Sequence, residues 1–195
     1  DREAGRLAIG RLRHGFCFLT LSYLRGYENL ILDMADEEEQ LPALVTMVAD
    51  FAQAQVERWL EAGIEFMVYP EDLGMQVGPM LSPTQFREWI VPVYRRVMAP
   101  AREAGVVVYM HCDGDLRLLA EDILACGVEV LNLQDCVNGP EWIRDHLKGR
   151  VCIDLDIDRQ HITVNGTPQE IRDHIQRCVE VLGDSTGGLM LSASL

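Results

Sequence analysis

Residues 101–134, "AREAGVVVYMHCDGDLRLLAEDILACGVEVLNLQ", run twice through the same events. An amphipathic segment ends on a glycine, Gly105 and then Gly127, and an apolar run follows at once. Glycine closes a helix in the left-handed conformation without a Cβ penalty. A near-continuous apolar run directly after it suits a strand covered on both faces, as parallel sheets under helices require. The unit recurs outward along the chain: "WLEAG" before "IEFMVY", "HLKG" before "RVCIDLD", and "VEVLG" shortly before "GLMLSA", ending on Gly63, Gly149 and Gly183. This pattern predicts an α/β protein of parallel strands alternating with helices. The earlier run "FCFLTLSYL" reads as one more strand, making six. An open doubly wound sheet and a β/α barrel lacking part of its ring both fit. No phosphate loop or GxGxxG follows a strand, which favours the barrel.

Several helices carry their own signposts. Ser82-Pro83-Thr84-Gln85 and Thr167-Pro168-Gln169-Glu170 each order a cap residue, a first-turn proline and a capping-box partner. Leu41, Leu44, Val45, Val48, Ala52, Val56, Trp59 and Leu60 follow the three-four spacing of one buried helix face. That helix starts after "ADEEEQLP", whose acidic run reads as a solvated turn. Pro92 falls within the next helix and predicts a kink or break.

Composition narrows the function classes. The chain has 195 residues, 48% of them hydrophobic, which suits one domain spanning 1–195. Seventeen Lys and Arg against 31 Asp and Glu give a formal charge of −14, which repels phosphate backbones and anionic membranes. Nucleic acid and membrane are therefore not expected partners. No apolar run is long enough to span a bilayer, and "DREAGRLAIGRLRHG" lacks a signal peptide's apolar core, so the chain reads as cytoplasmic. Its six cysteines form no CxxC pair and read mostly as reduced, buried thiols.

Alternate strand residues point to opposite faces, and a parallel barrel turns one set inward. In "VVVYMHCD" this groups Val107, Tyr109, His111 and Asp113, and leaves Cys112 to pack against helices. The same rule groups Met67, Tyr69 and Glu71; Asn132 with Gln134; Asp154 with Asp156; and Met190 with Ser192 and Ser194. A shift of one residue would exchange Glu71 for Asp72, so the pair stays undivided. Polar side chains thus collect at the carboxyl ends of successive strands, where barrel enzymes build their sites. Such groups are costly to bury unless a ligand, metal or water network satisfies them. Asp115 reads as a cap for the helix that follows.

Three segments carry a resemblance: "YPEDLGMQVGPMLSPTQFREWIVPVYRRV", "VVVYMHCDGDLRLLAEDILACGVEVLNLQ" and "GRVCIDLDIDRQHITVNGTPQEIRDHI". In order and content they resemble the uroporphyrinogen decarboxylase-like superfamily, which includes the decarboxylase of haem biosynthesis and the corrinoid-dependent methyltransferases. The resemblance implies a TIM-type (β/α)8 barrel, here incomplete, with about six parallel strands and flanking helices. It also implies that N-terminal strands and the C-terminal end are missing. The open edges would then allow a homodimer or other self-association.

The methyltransferase branch implies a zinc-type site in which a histidine and two cysteines activate a methyl donor or acceptor. Here "HCDG" matches at His111, Asp113 stands for the first cysteine, and the serines of "LMLSASL" stand where the second would be sought. The resemblance therefore implies His111, Asp113 and Glu71 or Asp72 as ligands or acid-base groups. Tyr69, Asn132, Gln134, Asp154, Asp156 and Ser192 would bind substrate. The implied activity is methyl transfer between a small methylated substrate and a corrinoid protein or thiol. The decarboxylase alternative needs no cofactor and would set Asp72 or Glu71 on pyrrole nitrogens, with Arg25, Arg117 and Arg159 as the nearby cations. A third expectation is a silent barrel fragment serving as a binding or assembly module.

Overall fold

The computed structural model describes residues 5–193. Ser194, grouped above with Ser192, lies outside them. Six parallel strands form one sheet: β1 (Ile9–Arg11), β2 (Phe66–Asp72), β3 (Val107–Asp113), β4 (Val130–Gln134), β5 (Cys152–Asp156) and β6 (Leu189–Ser192). Their spatial order is their chain order, β1 to β6, without a reversal. A doubly wound sheet reverses its order to place helices on both faces, so this sheet is singly wound, an incomplete barrel. Among the described residues β1 pairs only with β2 and β6 only with β5.

The helices are α1 (Phe18–Arg25), α2 (Tyr27–Asp36), α3 (Leu41–Glu61), α4 (Pro83–Gln85), α5 (Val91–Glu103), α6 (Ala120–Leu124), α7 (Asp135–Asn138), α8 (Pro140–His146), α9 (Ile162–Asn165) and α10 (Pro168–Leu182). Met67, Val108, Met110, Leu131, Leu133, Ile153 and Leu155 are fully or almost fully buried on the side that these helices cover. Each such side chain contributes about 1.5–3 kcal/mol by leaving water. On β3 the opposite residues, including Tyr109 and His111, are only half-buried, whereas Asn132 and Gln134 of β4 and Asp156 of β5 are buried on that same face.

Both capping boxes form as the sequence predicts, Ser82 accepting from the Gln85 N–H and Thr167 from the Glu170 N–H. The helix predicted from Leu41 to Leu60 is observed at Leu41–Glu61. Ahead of Pro92 the chain makes a π-turn over Phe86–Ile90, the break that the missing proline N–H predicts. Gly63, Gly105, Gly127 and Gly149 all take positive φ. Gly183 does not: at φ −63° it leaves α10 in an extended conformation.

One strand was misplaced. "FCFLTLSYL" is not a strand; it holds α1, and the first strand is the shorter "IGR" before it. Thr20 and Ser22 alternate with apolar neighbours and so imitate strand periodicity. What decides for helix is a tertiary contact: the Glu71 carboxylate accepts the N–H groups of Cys17, Phe18 and Leu19 at 3.1, 2.7 and 3.2 Å. These are donors that a helix start leaves unpaired, and a carboxylate there suits the helix dipole.

The acidic run before α3 is exposed, as a solvated turn should be. No disulfide links the six thiols, and Cys17, Cys112, Cys126 and Cys178 are buried. No helix among the described residues is long and apolar enough to cross a membrane.

Candidate active site at the strand carboxyl ends

Register sets the inner-face side chains in rows. Pro70, His111, Asn132, Asp154 and Met190 are paired neighbours across β2 to β6. One step toward the carboxyl ends stand Asp72 beside Asp113, and Gln134 beside Asp156 beside Ser192. His111, Asp113, Asn132, Gln134, Asp154, Asp156, Asp72 and Ser192 therefore share one face.

Tyr69 and Glu71 do not share it. They pair with Met110 and Cys112, on the helix-covered side. Tyr69 is fully buried against Phe16, its hydroxyl 3.4 Å from the Val97 carbonyl. Glu71, 0% exposed, is spent on the α1 amides and also accepts from the Tyr94 hydroxyl at 3.4 Å. Neither can meet a substrate or metal beside His111. The correction follows from strand parity: β2 stays extended through Asp72, so the inward carboxylate is Asp72 and not Glu71. Burial pushes the Glu71 carboxyl up to about 7, against the pull of three backbone N–H groups.

At the mouth, His111 Nε2 lies 3.8 Å from Asp72 Oδ1 and 3.9 Å from Asp113 Oδ1. His14, just past β1, brings its Nε2 to 3.3 Å from Asp72 Oδ2. One donor atom each from His14, Asp72 and His111 falls within 4.8 Å of the others. His14 was missed because the first strand was read too late in the chain; placed correctly, "IGRLRHG" is a strand leading to a histidine before a glycine turn.

A chain of hydrogen bonds fixes His111. Its Nδ1 lies 2.5 Å from Asn132 Oδ1, and Asn132 Nδ2 donates to the Asp154 carbonyl at 2.9 Å. Because the Asn132 amide N–H is committed to the Asp154 carbonyl, its oxygen accepts from Nδ1–H, and Nε2 is the ring nitrogen left facing Asp72 and Asp113. Tyr109 donates to Asp154 Oδ2 at 2.7 Å, and burial followed by that carboxylate pushes its hydroxyl pKa up, keeping it protonated.

Arg159 pairs with Asp113 and, at 3.0 Å, with Asp156. Asp113 Oδ1 is buried and accepts no hydrogen bond among the described residues. Ser192 Oγ reaches the Leu155 carbonyl at 3.5 Å and adjoins Asp156. Gln134 Oε1 accepts from the Gly114 N–H at 3.3 Å.

Cys112 packs on the helix side, as parity predicts, and its sulfur accepts from the Leu73 N–H. Asp115 is structural but caps no helix, since α6 begins only at Ala120. It accepts from the Arg117 and Gly78 N–H groups, each at 3.1 Å, and ties two loops together. Those loops touch at Gly74 and Gly114. A Cβ on Gly114, at φ +85°, would lie 2.1 Å from the Gly74 carbonyl.

The donor set suits a metal. Two imidazoles and a carboxylate match the ligands of catalytic zinc sites, and the Asn132 contact supplies the outer partner that orients a ligating imidazole. The orphaned Asp113 oxygen beside them supports the same reading. A cavity of about 450 Å³ lined by Glu129, Lys148, Cys152 and Gly188 lies at the opposite, amino end of β4 to β6, away from this cluster.

The family described as uroporphyrinogen decarboxylase (URO-D) matches residues 14–194. In fold the chain is similar to a methyltransferase from Methanosarcina mazei, with a TM-score of 0.73 and 15% identity, over 96% of this chain and 52% of that one. At that identity the likeness is one of fold alone, and the chain spans about half of its neighbour's length. No curated protein matches it.

Proposed function

Because the chain belongs to the uroporphyrinogen decarboxylase (URO-D) family, we propose that its barrel mouth serves methyl transfer between a small methylated substrate and a thiol or a partner's corrinoid. The observation that carries this reading is the convergence of His14, Asp72 and His111 on one point of the inner face. These three would hold zinc, with Asp113 beside them. Zinc there would supply Lewis acidity toward a thiol or a methyl-bearing heteroatom.

The chain's own groups have separable tasks. Asn132 holds His111 in the tautomer with an available Nε2. Arg159 bridges Asp113 and Asp156 and offsets part of the charge of the three carboxylates, counting Asp72, that stand at one mouth. The protonated Tyr109 hydroxyl donates to Asp154 and forms with it a hydrogen-bonded wall below the donors. Gln134 and Ser192 lie along the rim, where a small substrate would be oriented.

The second reading is decarboxylation of a tetrapyrrole, without a cofactor. It is favoured by the position of Asp72, inward at a strand end, where a carboxylate could meet pyrrole nitrogens. Against it, Arg159 is committed to Asp113 and Asp156, and a polycarboxylate would face an acidic mouth.

The test is zinc content and methyl transfer to free cobalamin and to small thiols, compared across wild type, His14→Ala, Asp72→Ala and His111→Ala. Near-stoichiometric zinc and methyl transfer, both lost in the variants, are expected. Tetrapyrrole turnover without metal would replace this reading with the second, and absence of both activities would leave the barrel as a binding module.

A further inference from the structure

A second cluster lies outside the ring mouth, between α7 and α10. Asp135 opens α7, and His174 and Cys178 stand one turn apart on α10, so they project from the same helix face. His174 Nε2 is 2.6 Å from Asp135 Oδ2, Cys178 Sγ is 3.7 Å from that nitrogen, and it is 3.9 Å from the carboxylate. Asp135 is 1% exposed. Its other oxygen, Oδ1, is buried and accepts no hydrogen bond among the described residues.

Two simpler readings leave something over. A structural ion pair between His174 and Asp135 explains one carboxylate oxygen but leaves Oδ1 desolvated and unpaired, which is costly. A thiol nucleophile activated by a histidine and an aspartate has the right residue types but the wrong placement. Cys178 is 0% exposed, and burial followed by the Asp135 charge pushes its thiol up to about 11, so it stays protonated and faces no substrate.

We infer that Asp135, His174 and Cys178 form a second metal site, for a zinc-class divalent cation, distinct from the mouth cluster. Mixed carboxylate, imidazole and thiolate donors are the ligand chemistry of zinc. Ligands about 2.0–2.3 Å from a tetrahedral ion stand about 3.3–3.8 Å apart. The two sulfur contacts are already close to this range. The 2.6 Å histidine–carboxylate contact opens as the ion enters, and a water that completes the four-coordinate ion donates to Oδ1. On binding, the Cys178 thiol gives up its proton to water and the thiolate bonds to the ion. Access is past the His174 side chain, which is 22% exposed. The role is structural: the ion links α10 to the start of α7, directly behind the β4 end that carries Gln134.

The probe is cobalt(II) alone, added to metal-free wild type and to Cys178→Ser, His174→Ala and His111→Ala. The mouth cluster contains no sulfur donor, so of the two clusters only the second gives a thiolate-to-cobalt charge-transfer band in the near ultraviolet. The band is expected in wild type and in His111→Ala, absent in Cys178→Ser, and shifted to at least about tenfold higher cobalt in His174→Ala. No band in wild type at saturating cobalt, or a band that survives Cys178→Ser through exposed Cys136, overturns the inference. Should Cys178→Ser fail to fold by circular dichroism, His174→Ala decides: wild-type cobalt affinity in that variant also overturns it.

Discussion

Glu71 and Asp72 are neighbours in sequence and nearly the same in chemistry, yet they belong to different halves of the molecule. Glu71 faces the helices, is sealed from solvent and is consumed by three backbone amides that start α1. Asp72 faces the open ring, half-buried, between His14 and His111. One holds the fold and the other equips the site. The pleat of β2 alone makes the difference, because a single residue moves a side chain through the sheet.

The largest expected effect tests the structural half. Glu71→Ala strands three buried N–H groups and should lose about 3–5 kcal/mol in urea unfolding. Asp72→Ala should lose less than about 1 kcal/mol in the same measurement, as a half-exposed group with few fixed partners. Equal losses would erase the contrast.

Zinc affinity at the mouth should reverse the order. Asp72→Ala and His111→Ala are expected to weaken zinc by about a hundredfold or more, and Asn132→Leu, which removes only the outer partner, by about 10–100-fold. Competition against a chromophoric chelator measures both. A full-strength site in Asn132→Leu would show that His111 needs no orienting partner.

A subtler difference is in pH. The folded Glu71 pKa, about 7, lies above its ordinary 4.5. Between those values the folded chain keeps a proton that the unfolded chain has released, so stability falls as pH rises and levels off above about 7. The gap between wild type and Glu71→Ala should therefore be wider at pH 5 than at pH 8, read from urea midpoints. A gap that widens with pH would mean the carboxylate, not the acid, is the favoured partner of the α1 amides. The smallest effect belongs to Tyr69→Phe, which removes one 3.4 Å contact to the Val97 carbonyl. It should change stability by under about 1 kcal/mol and leave zinc affinity untouched.

The glycine-to-strand repeats were legible because helix termination and apolar runs are local signals, and five of the six strands follow from them. The inward set on β3, His111 and Asp113 with Tyr109, was legible for the same reason: strand parity needs no tertiary knowledge. Parity within β2 was ambiguous because its end could not be fixed from sequence, and Glu71 was grouped with the site. The α1 segment failed differently. Its helix start is completed by a carboxylate more than fifty residues away, which no local pattern records, and the same error concealed His14. The commitments of Arg159 to Asp113 and Asp156 likewise arise only when the β5 loop folds over the mouth.

The contact between Gly74 and Gly114 bears on how such a barrel can change over time. The loops after β2 and β3 meet backbone to backbone, with Gly74 N–H on the Asp113 carbonyl and Asp115 N–H on the Met75 carbonyl. Neither loop has an independent shape to be traded. A recombination crossover that falls between them would bring together halves that no longer interlock, whereas one outside both would carry the pair as a single heritable unit.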